Sequence, residues 1–270
     1  MRVIISSRFP KPYNTRVPQT LLKKRSSPNA QIKEIEGGWR LNLETGAAGT
    51  YRLAQLDDYA NLSRGAFPHS PPVSIRLKAR SSQSQLPGTW GAGLWNDPFG
   101  FSFGFGGTRG RLPALPNAVW FFFASPESHV SLRNNQPGHG QLAGSYRPAR
   151  IPAVLLAPAV MTAPLLWLTA AARLLRRVAA ALIRHNLAQL NLDPTIWHEY
   201  AILWQPEHAE FQVDGGTVFK SLAPRQPLGL VLWLDNQYAA WRPDGRITYG
   251  TLPTPPDCWV EIKDLQISSN

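Results

Sequence analysis

The stretch between Trp197 and Asp235 constrains the fold more than any other. It reads W-H-E-Y-A-I-L-W-Q-P-E-H-A-E-F-Q-V-D-G-G-T-V-F-K and, after a short gap, P-L-G-L-V-L-W-L-D. Tyr200, Ile202 and Trp204 alternate with their neighbours, as do Phe211 and Val213. A period of two is the mark of half-buried strands. Asp214-Gly215-Gly216 supplies a tight turn, because glycine accepts the positive φ that hairpin turns require. Further on, Leu230, Leu232 and Leu234 share one face of a strand, and Val231, Trp233 and Asp235 share the other.

The same pattern recurs from Gly37 onward. Trp39 to Leu43 and Tyr51 to Leu56 alternate. In Val73 to Arg80, Val73, Ile75 and Leu77 oppose Arg76, Lys78 and Arg80. Thr89 to Trp95 follows, then Phe99 to Phe105 with glycine between aromatics. Asn117 to Ala124 is fully apolar, and Ser128 to Arg133 is its expected partner, with Asn134 to Gly144 as loop. Ile247 to Gly250 is short. Trp259 to Ile267 closes the chain and is expected to lie beside an early strand. Turn residues every ten or so positions predict an all-β antiparallel sandwich. A chain of 270 residues can bury one large core of this kind or two smaller ones.

Residues 1–36 are basic and carry Pro10, Pro12, Pro18 and Pro28, which predicts an arm ahead of a domain spanning 37–270. Lys23-Lys24-Arg25 reads as a solvated charge run. Met1 to Gln19 has no apolar core, so no secretory signal is expected and a cytoplasmic location follows. The formal net charge of +11 suits anionic partners. Its basic residues are dispersed and no nucleic-acid module is recognisable, which argues against nucleic acid. The single cysteine, Cys258, excludes an internal disulfide and a cysteine-rich zinc site. Gly104 to Gly110 superficially suits phosphate, but Pro113 and Pro116 follow instead of a helix, so it is read as a loop.

The pattern changes between about 151 and 192. Ile151 to Ala172 carries no charge, and Leu165 to Leu190 is rich in Leu and Ala with Arg173, Arg176, Arg177 and Arg184. Leu168, Ala171, Leu175, Val178, Leu182 and Leu190 fall roughly on one helical stripe. This predicts a basic amphipathic helix inserted between two strands. Three prolines and the sandwich on either side argue against a membrane span. Two readings stay open: a lid packed on the sandwich, or an interfacial helix resting on an anionic membrane with its arginines at the headgroups.

With these residues in view, the chain from Gly37 to Ile267 resembles the concanavalin A-like jelly roll of the laminarinase-type family-16 glycoside hydrolases. The resemblance rests on His198-Glu-Tyr200 with Trp204, on Phe211-Gln-Val-Asp214-Gly215, on Gly93-Leu-Trp95 and on the closing strand. It implies a jelly-roll β-sandwich interrupted by the helical insert. It also implies a catalytic strand of form E-x-D-x-E, whose two glutamates act in a retaining mechanism that needs carboxyls about 5 Å apart. The best match to that strand is Asn117 to Phe122, and its three acidic positions fall on Ala118, Trp120 and Phe122. No nucleophile or proton donor is present there.

Two functional readings follow. Trp95, Trp120, Trp233, Tyr238 and Trp241 could stack on sugar rings, with Asn96, Asp97, Asp235 and Asn236 bonding hydroxyls. That describes a non-catalytic carbohydrate-binding protein with a glycan or polysaccharide partner. Alternatively these tryptophans fill a core. An active glycoside hydrolase would need relocated acids, drawn from Asp97, Glu127, Glu199 and Asp235. No local ligand cluster supports calcium, and neither a metal nor a cofactor is expected.

Overall fold

The computed structural model describes residues 22–98, 111, 114–151 and 168–269. Its strands in chain order are β1 (Lys23–Ser26), β2 (Ala30–Ile35), β3 (Gly38–Leu43), β4 (Leu53–Asp57), β5 (Val73–Ser81), β6 (Thr89–Trp95), β7 (Ala118–Ala124) and β8 (Gly140–Pro148). A helix, α1 (Thr169–Leu182), comes next. Then follow β9 (Ile183–Gln189), β10 (His198–Trp204), β11 (His208–Val213), β12 (Gly216–Leu222), β13 (Gly229–Asp235), β14 (Gln237–Trp241), β15 (Ile247–Thr251) and β16 (Cys258–Ser269).

They form an antiparallel β-sandwich. The first sheet has the order β1-β4-β13-β6-β7-β8-β9, the second β12-β11-β10-β5-β16-β3-β2, and β14 and β15 make a small ribbon. Half of the neighbouring pairs in the two large sheets join strands distant in sequence, as in a jelly roll. The closing strand β16 lies between β3 and β5, as its alternation suggested.

The core lies between the two large sheets. From β5 it takes Val73, Ile75, Leu77 and Ala79, while Arg76 and Lys78 point to solvent. From β13 it takes Leu230, Leu232 and Leu234, all fully buried, and Trp204 and Phe211 fill its β10–β11 region. Full burial of such a side chain contributes about 1.5–3 kcal/mol. The Asp214-Gly215 turn joins β11 to β12 with φ of 50° and 78°. There the Asp214 carboxylate accepts from the Glu199 amide at 2.8 Å and meets His198 Nδ1 at 2.7 Å. The H-E-Y and V-D-G segments thus serve to fasten a hairpin.

Four expectations need correction. The sandwich begins before Gly37. β1 pairs with β4 and β2 with β3, so residues 23–35 belong to the sheets. There Lys24 is paired with Glu34 at 2.5 Å and Arg25 faces Asp57 at 3.5 Å. The partner of β7 is not Ser128 to Arg133 but β8, whose first residues lie inside the expected loop. The helix ends at Leu182, because Ile183, His185 and Leu187 switch to a period of two and enter β9.

Finally, the expected helical stripe is rotated. Ala172 and Arg176 are buried, with Ala179 and Leu182 packed inward, whereas Leu168 and Val178 are exposed. Small alanines allow close approach, and the Arg176 guanidinium finds carbonyl partners, so this face outcompetes the more apolar one. Among the described residues no helix is long and apolar enough to cross a membrane. The Phe99 to Phe105 strand, the Gly104 to Gly110 loop and most of Ile151 to Ala172 lie outside the described residues, as does the arm up to residue 21.

Candidate functional site

The outer face of the first sheet is where the three acidic positions would project. Ala118, Trp120 and Phe122 share that face of β7, since successive strand residues alternate sides. Register then fixes their neighbours. Trp120 is opposite Gly93 of β6 on one side and Gly144 of β8 on the other. Phe122 lies between Gly91 and Leu142, and Ala118 between Trp95 and Tyr146. Trp233 of β13 is opposite Gly91 on its far side.

The glycines create the space that the rings occupy. A Cβ on Gly91 would lie 2.6 Å from the Trp233 ring, and one on Gly93 2.5 Å from Trp120 Cβ. Trp120 therefore becomes the centre of a continuous aromatic cluster. Its ring centroid is 5.9 Å from Trp95, 5.3 Å from Trp233, 5.5 Å from Phe122 and 6.0 Å from Tyr146. Such tilted and edge-on contacts are the favoured aromatic geometries. Trp95, Trp120 and Trp233 are partly exposed, whereas Phe122 and Tyr146 are buried.

Both ends of this platform are fastened. At one, Tyr59 Oη accepts from Trp95 Nε1 at 2.6 Å and from Gln55 Nε2 at 3.2 Å. Arg111 lies over the rings of Tyr59 and Phe67 and donates to the carbonyls of Tyr59 and Leu62 and to Asp97. At the other, the segment after β7 folds over β8 and β9. Val130 and Leu132 pack into the cluster, and Tyr146 donates to the Val130 carbonyl at 3.2 Å. His185 is stacked 5.4 Å from Tyr146, and its Nε2 accepts from the Leu132 amide at 3.2 Å. Burial pushes that imidazole down to about 4, so it is neutral at pH 7.

The polar residues expected to bond a sugar are committed elsewhere. Asn96 donates to the Leu115 carbonyl and accepts from the Asn117 amide. Asp97 is buried and paired with Arg111. Asn236 accepts from the Arg52 amide and donates to Thr50 and Leu252. Asp235 accepts from the amide and hydroxyl of Thr89 and from Tyr51. Tyr238 and Trp241 lie on β14, outside the ring contacts of the platform. The structure thus brings together Trp95, Trp120 and Trp233, and it keeps Asp235 beside Trp233 through Thr89, whose hydroxyl accepts from Trp233 Nε1 at 2.9 Å and donates to Asp235 at 2.8 Å. Tyr59 and Tyr146 escaped the sequence reading; the alternation of Leu142, Gly144 and Tyr146 was the signal for the second.

Among the candidate relocated acids, Asp97 is paired with Arg111. Glu199 pairs with Arg76 at 3.0 Å on the outer face of the second sheet, and Glu127 is exposed on a loop. On the platform side, Asp57 and Asp235 lie on adjacent strands four residues out of register, since Asp57 is opposite Val231. Four residues of strand span about 13 Å. Paired glycosidase carboxyls need about 5–5.5 Å for retention or 6.5–9.5 Å for inversion. Asp57 is also occupied, by Gln55, the Ala60 amide and Arg25.

The chain is similar to several solved structures. An endo-β-1,3-glucanase from Pyrococcus furiosus is 11% identical with a TM-score of 0.39, over 80% of this chain and 66% of that one. An endo-β-galactosidase from Clostridium perfringens that releases GlcNAcα1-4Gal is 12% identical with a TM-score of 0.47, over 94% of this chain and 60% of that one. This chain therefore spans less than two thirds of either. A legume lectin-like domain from Entamoeba histolytica is 8% identical with a TM-score of 0.46, over 93% of this chain and 91% of that one. No family model matches the sequence. No curated protein matches it either.

Four arginines were expected on the outer face of the insert. Arg173, Arg177 and Arg184 are exposed, and Arg173 donates to the Asp244 carbonyl. Arg176 is not: it is 6% exposed and donates to the carbonyls of Ser131 and Trp241 and to Asn134 Oδ1. A side chain so enclosed holds α1 to the sandwich.

Proposed function

We propose that this protein is a non-catalytic carbohydrate-binding protein that uses the outer face of its first sheet. The observation that carries the reading is the contiguous, partly exposed platform of Trp95, Trp120 and Trp233, with Trp120 at a position where the resemblance would place an acid. Indole faces suit the apolar faces of sugar rings. The direct test is a glycan array followed by calorimetric titration of the oligosaccharides that bind. Trp120→Ala and Trp233→Ala should each weaken binding by about thirtyfold, the effect of an aromatic anchor worth about 2 kcal/mol. Trp120→Phe, which keeps the platform filled, should weaken it less. Release of reducing sugar from β-glucans by the wild-type protein would refute the non-catalytic half of the proposal. Absence of any glycan ligand would refute the other.

A second reading concerns α1. Its outer face pairs Leu174 and Val178, 60% and 45% exposed, with Arg173 and Arg177 one position before each. Apolar side chains bordered by arginines suit an anionic membrane surface. Flotation with anionic vesicles, lost in Leu174→Glu and absent with zwitterionic vesicles, is the expected result.

A further inference from the structure

An open cleft of about 340 Å³ lies on the far side of the segment that covers β8 and β9, away from the tryptophan platform. Ser128, His129 and His139 line it from that segment, and Arg242 and Asp244 from the turn after β14. The two walls are joined through backbone: His129 N donates to the Ala239 carbonyl at 3.0 Å, and Trp241 N to the His129 carbonyl at 3.3 Å. The His129 ring is held against Gly138, where a Cβ would lie 2.4 Å from Nδ1.

The charges around this cleft are unbalanced. His129, His139 and Arg242 line it, and Arg176 of α1 reaches the same region through the Trp241 carbonyl. Asp244 is the only carboxylate in the lining, and it is already engaged by the backbone amide and side chain of Arg246, at 3.0 and 2.6 Å. Neither Arg242 nor His139 has a side-chain hydrogen bond or ion pair among the described residues. Ser128 Oγ and His129 Nε2 are enclosed and lack partners altogether. Buried polar groups in native proteins rarely stay unpaired, so each such group requires an explanation. Converging cations would repel a metal ion, and no group of three metal-binding side chains exists among the described residues.

We propose that this cleft binds a tetrahedral oxyanion, a sulfate or phosphate group, through Arg242, His139 and His129, with the Ser128 hydroxyl as a further donor. Guanidinium and imidazolium donors make short charge-assisted bonds to such oxygens. In the empty cleft, burial first, and then Arg176, His139 and Arg242, hold His129 below its usual range, opposed by Asp244. A bound anion reverses that balance and favours the protonated ring. Binding should therefore tighten as the pH falls, and it should raise the pH at which His129 titrates. This site is independent of the tryptophan platform.

The test is a histidine-resolved NMR titration of the full chain with sodium sulfate, against sodium chloride at equal ionic strength. Sulfate should move the His129 titration saturably to higher pH and perturb the His139 ring signals saturably. Arg242→Gln should weaken the effect about tenfold, the share of one charge-assisted bond. His139→Gln gives a second variant should the first fold poorly, and Lys33→Gln, on the exposed face of β2, should change nothing. A sulfated oligosaccharide that binds more tightly than sulfate assigns the anion to a glycan, and equal binding assigns it to the free ion. Equal responses to sulfate and chloride, or an unaltered response in both cleft variants, overturn the proposal.

Discussion

The indoles of Trp120 and Trp233 meet at 5.3 Å, with their planes at 50°, across the back of β6. They come from β7 and β13, which flank β6 on either side, and they can meet only because β6 carries Gly91 and Gly93 beneath them. Gly93→Ala tests this. Its Cβ would lie 2.3 Å from the Val119 carbonyl and 2.5 Å from Trp120 Cα, both backbone atoms that cannot swing aside. Overpacking of this kind costs about 1–3 kcal/mol. Urea denaturation should show that loss, together with an altered near-UV tryptophan signal. Gly65→Ala, with nothing within 4 Å of the new methyl, should stay within about 0.5 kcal/mol of wild type.

Asp235 should make stability depend on pH in a direction opposite to that of most carboxylates. Burial pushes its carboxyl up to about 6, against the hydrogen bonds from Thr89, Gln237 and Tyr51. An unfolded Asp titrates near 3.9. Between about pH 4 and 6 the folded protein therefore holds the extra proton, and stability falls as pH rises through that window. Above it the charged form costs on the order of 2–3 kcal/mol. Asp235→Asn removes the titration and keeps an acceptor for Thr89. The stability difference between variant and wild type should thus move in favour of Asn from pH 4 to pH 7, measured by denaturation at each pH.

Glu261 behaves in the ordinary sense. It sits on β16 directly opposite Arg40 of β3 and Arg80 of β5, and it bonds them at 2.6 and 2.8 Å. Burial raises its pKa, but the two guanidiniums outweigh that and leave it lowered. Its stabilisation is complete above the unfolded glutamate pKa and is lost as pH falls through the folded one. Both arginines are about one third exposed, so each pair is screened. Cross-strand ion pairs of this type contribute about 0.2–1 kcal/mol each. Glu261→Gln should cost about 1–2 kcal/mol at pH 7, less in high salt, and nothing in strong acid.

The legibility of these features in the sequence differs for physical reasons. β5 and β13 were readable because one face meets the core and the other does not, so period-two alternation survives. β8 was hidden because Gly144 lies opposite Trp120 and Gly140 adopts a φ of 94°, and glycine imitates a loop. β9 was absorbed into the helix because Leu182, Leu187 and Leu190 continue a leucine-rich run while its strand phase rests on Ile183, His185 and Leu187. Trp95, Trp120 and Trp233 could be grouped from the sequence because strand position and ring chemistry both pointed to them, and their rings are neighbours in the fold. The polar set around Asn96, Asp97 and Asn236 misled because a sequence shows which groups can bond but not which carbonyls and amides the fold sets beside them. Arg176 misled most, since charge on an amphipathic helix ordinarily faces water.

That arginine carries the last prediction. Its guanidinium donates from Nε to the Trp241 carbonyl at 3.0 Å, from Nη2 to the Ser131 carbonyl at 3.0 Å and from Nη1 to Asn134 Oδ1 at 2.8 Å. It therefore joins three segments: α1, the segment after β7 and the end of β14. Arg176→Met keeps the bulk of the side chain but strands buried acceptors, which costs about 1–3 kcal/mol. The cost should appear locally, because the three acceptors lie on the segments that meet α1. Hydrogen exchange should speed up in α1 and in the segment around Ser131 before it does in β5 or β13. Arg176→Lys, with its charge but without the planar fork, should recover part of the protection. Arg177→Ala, exposed one residue away, should leave exchange unchanged; equal effects at 176 and 177 would show that the helix is held by something other than this guanidinium.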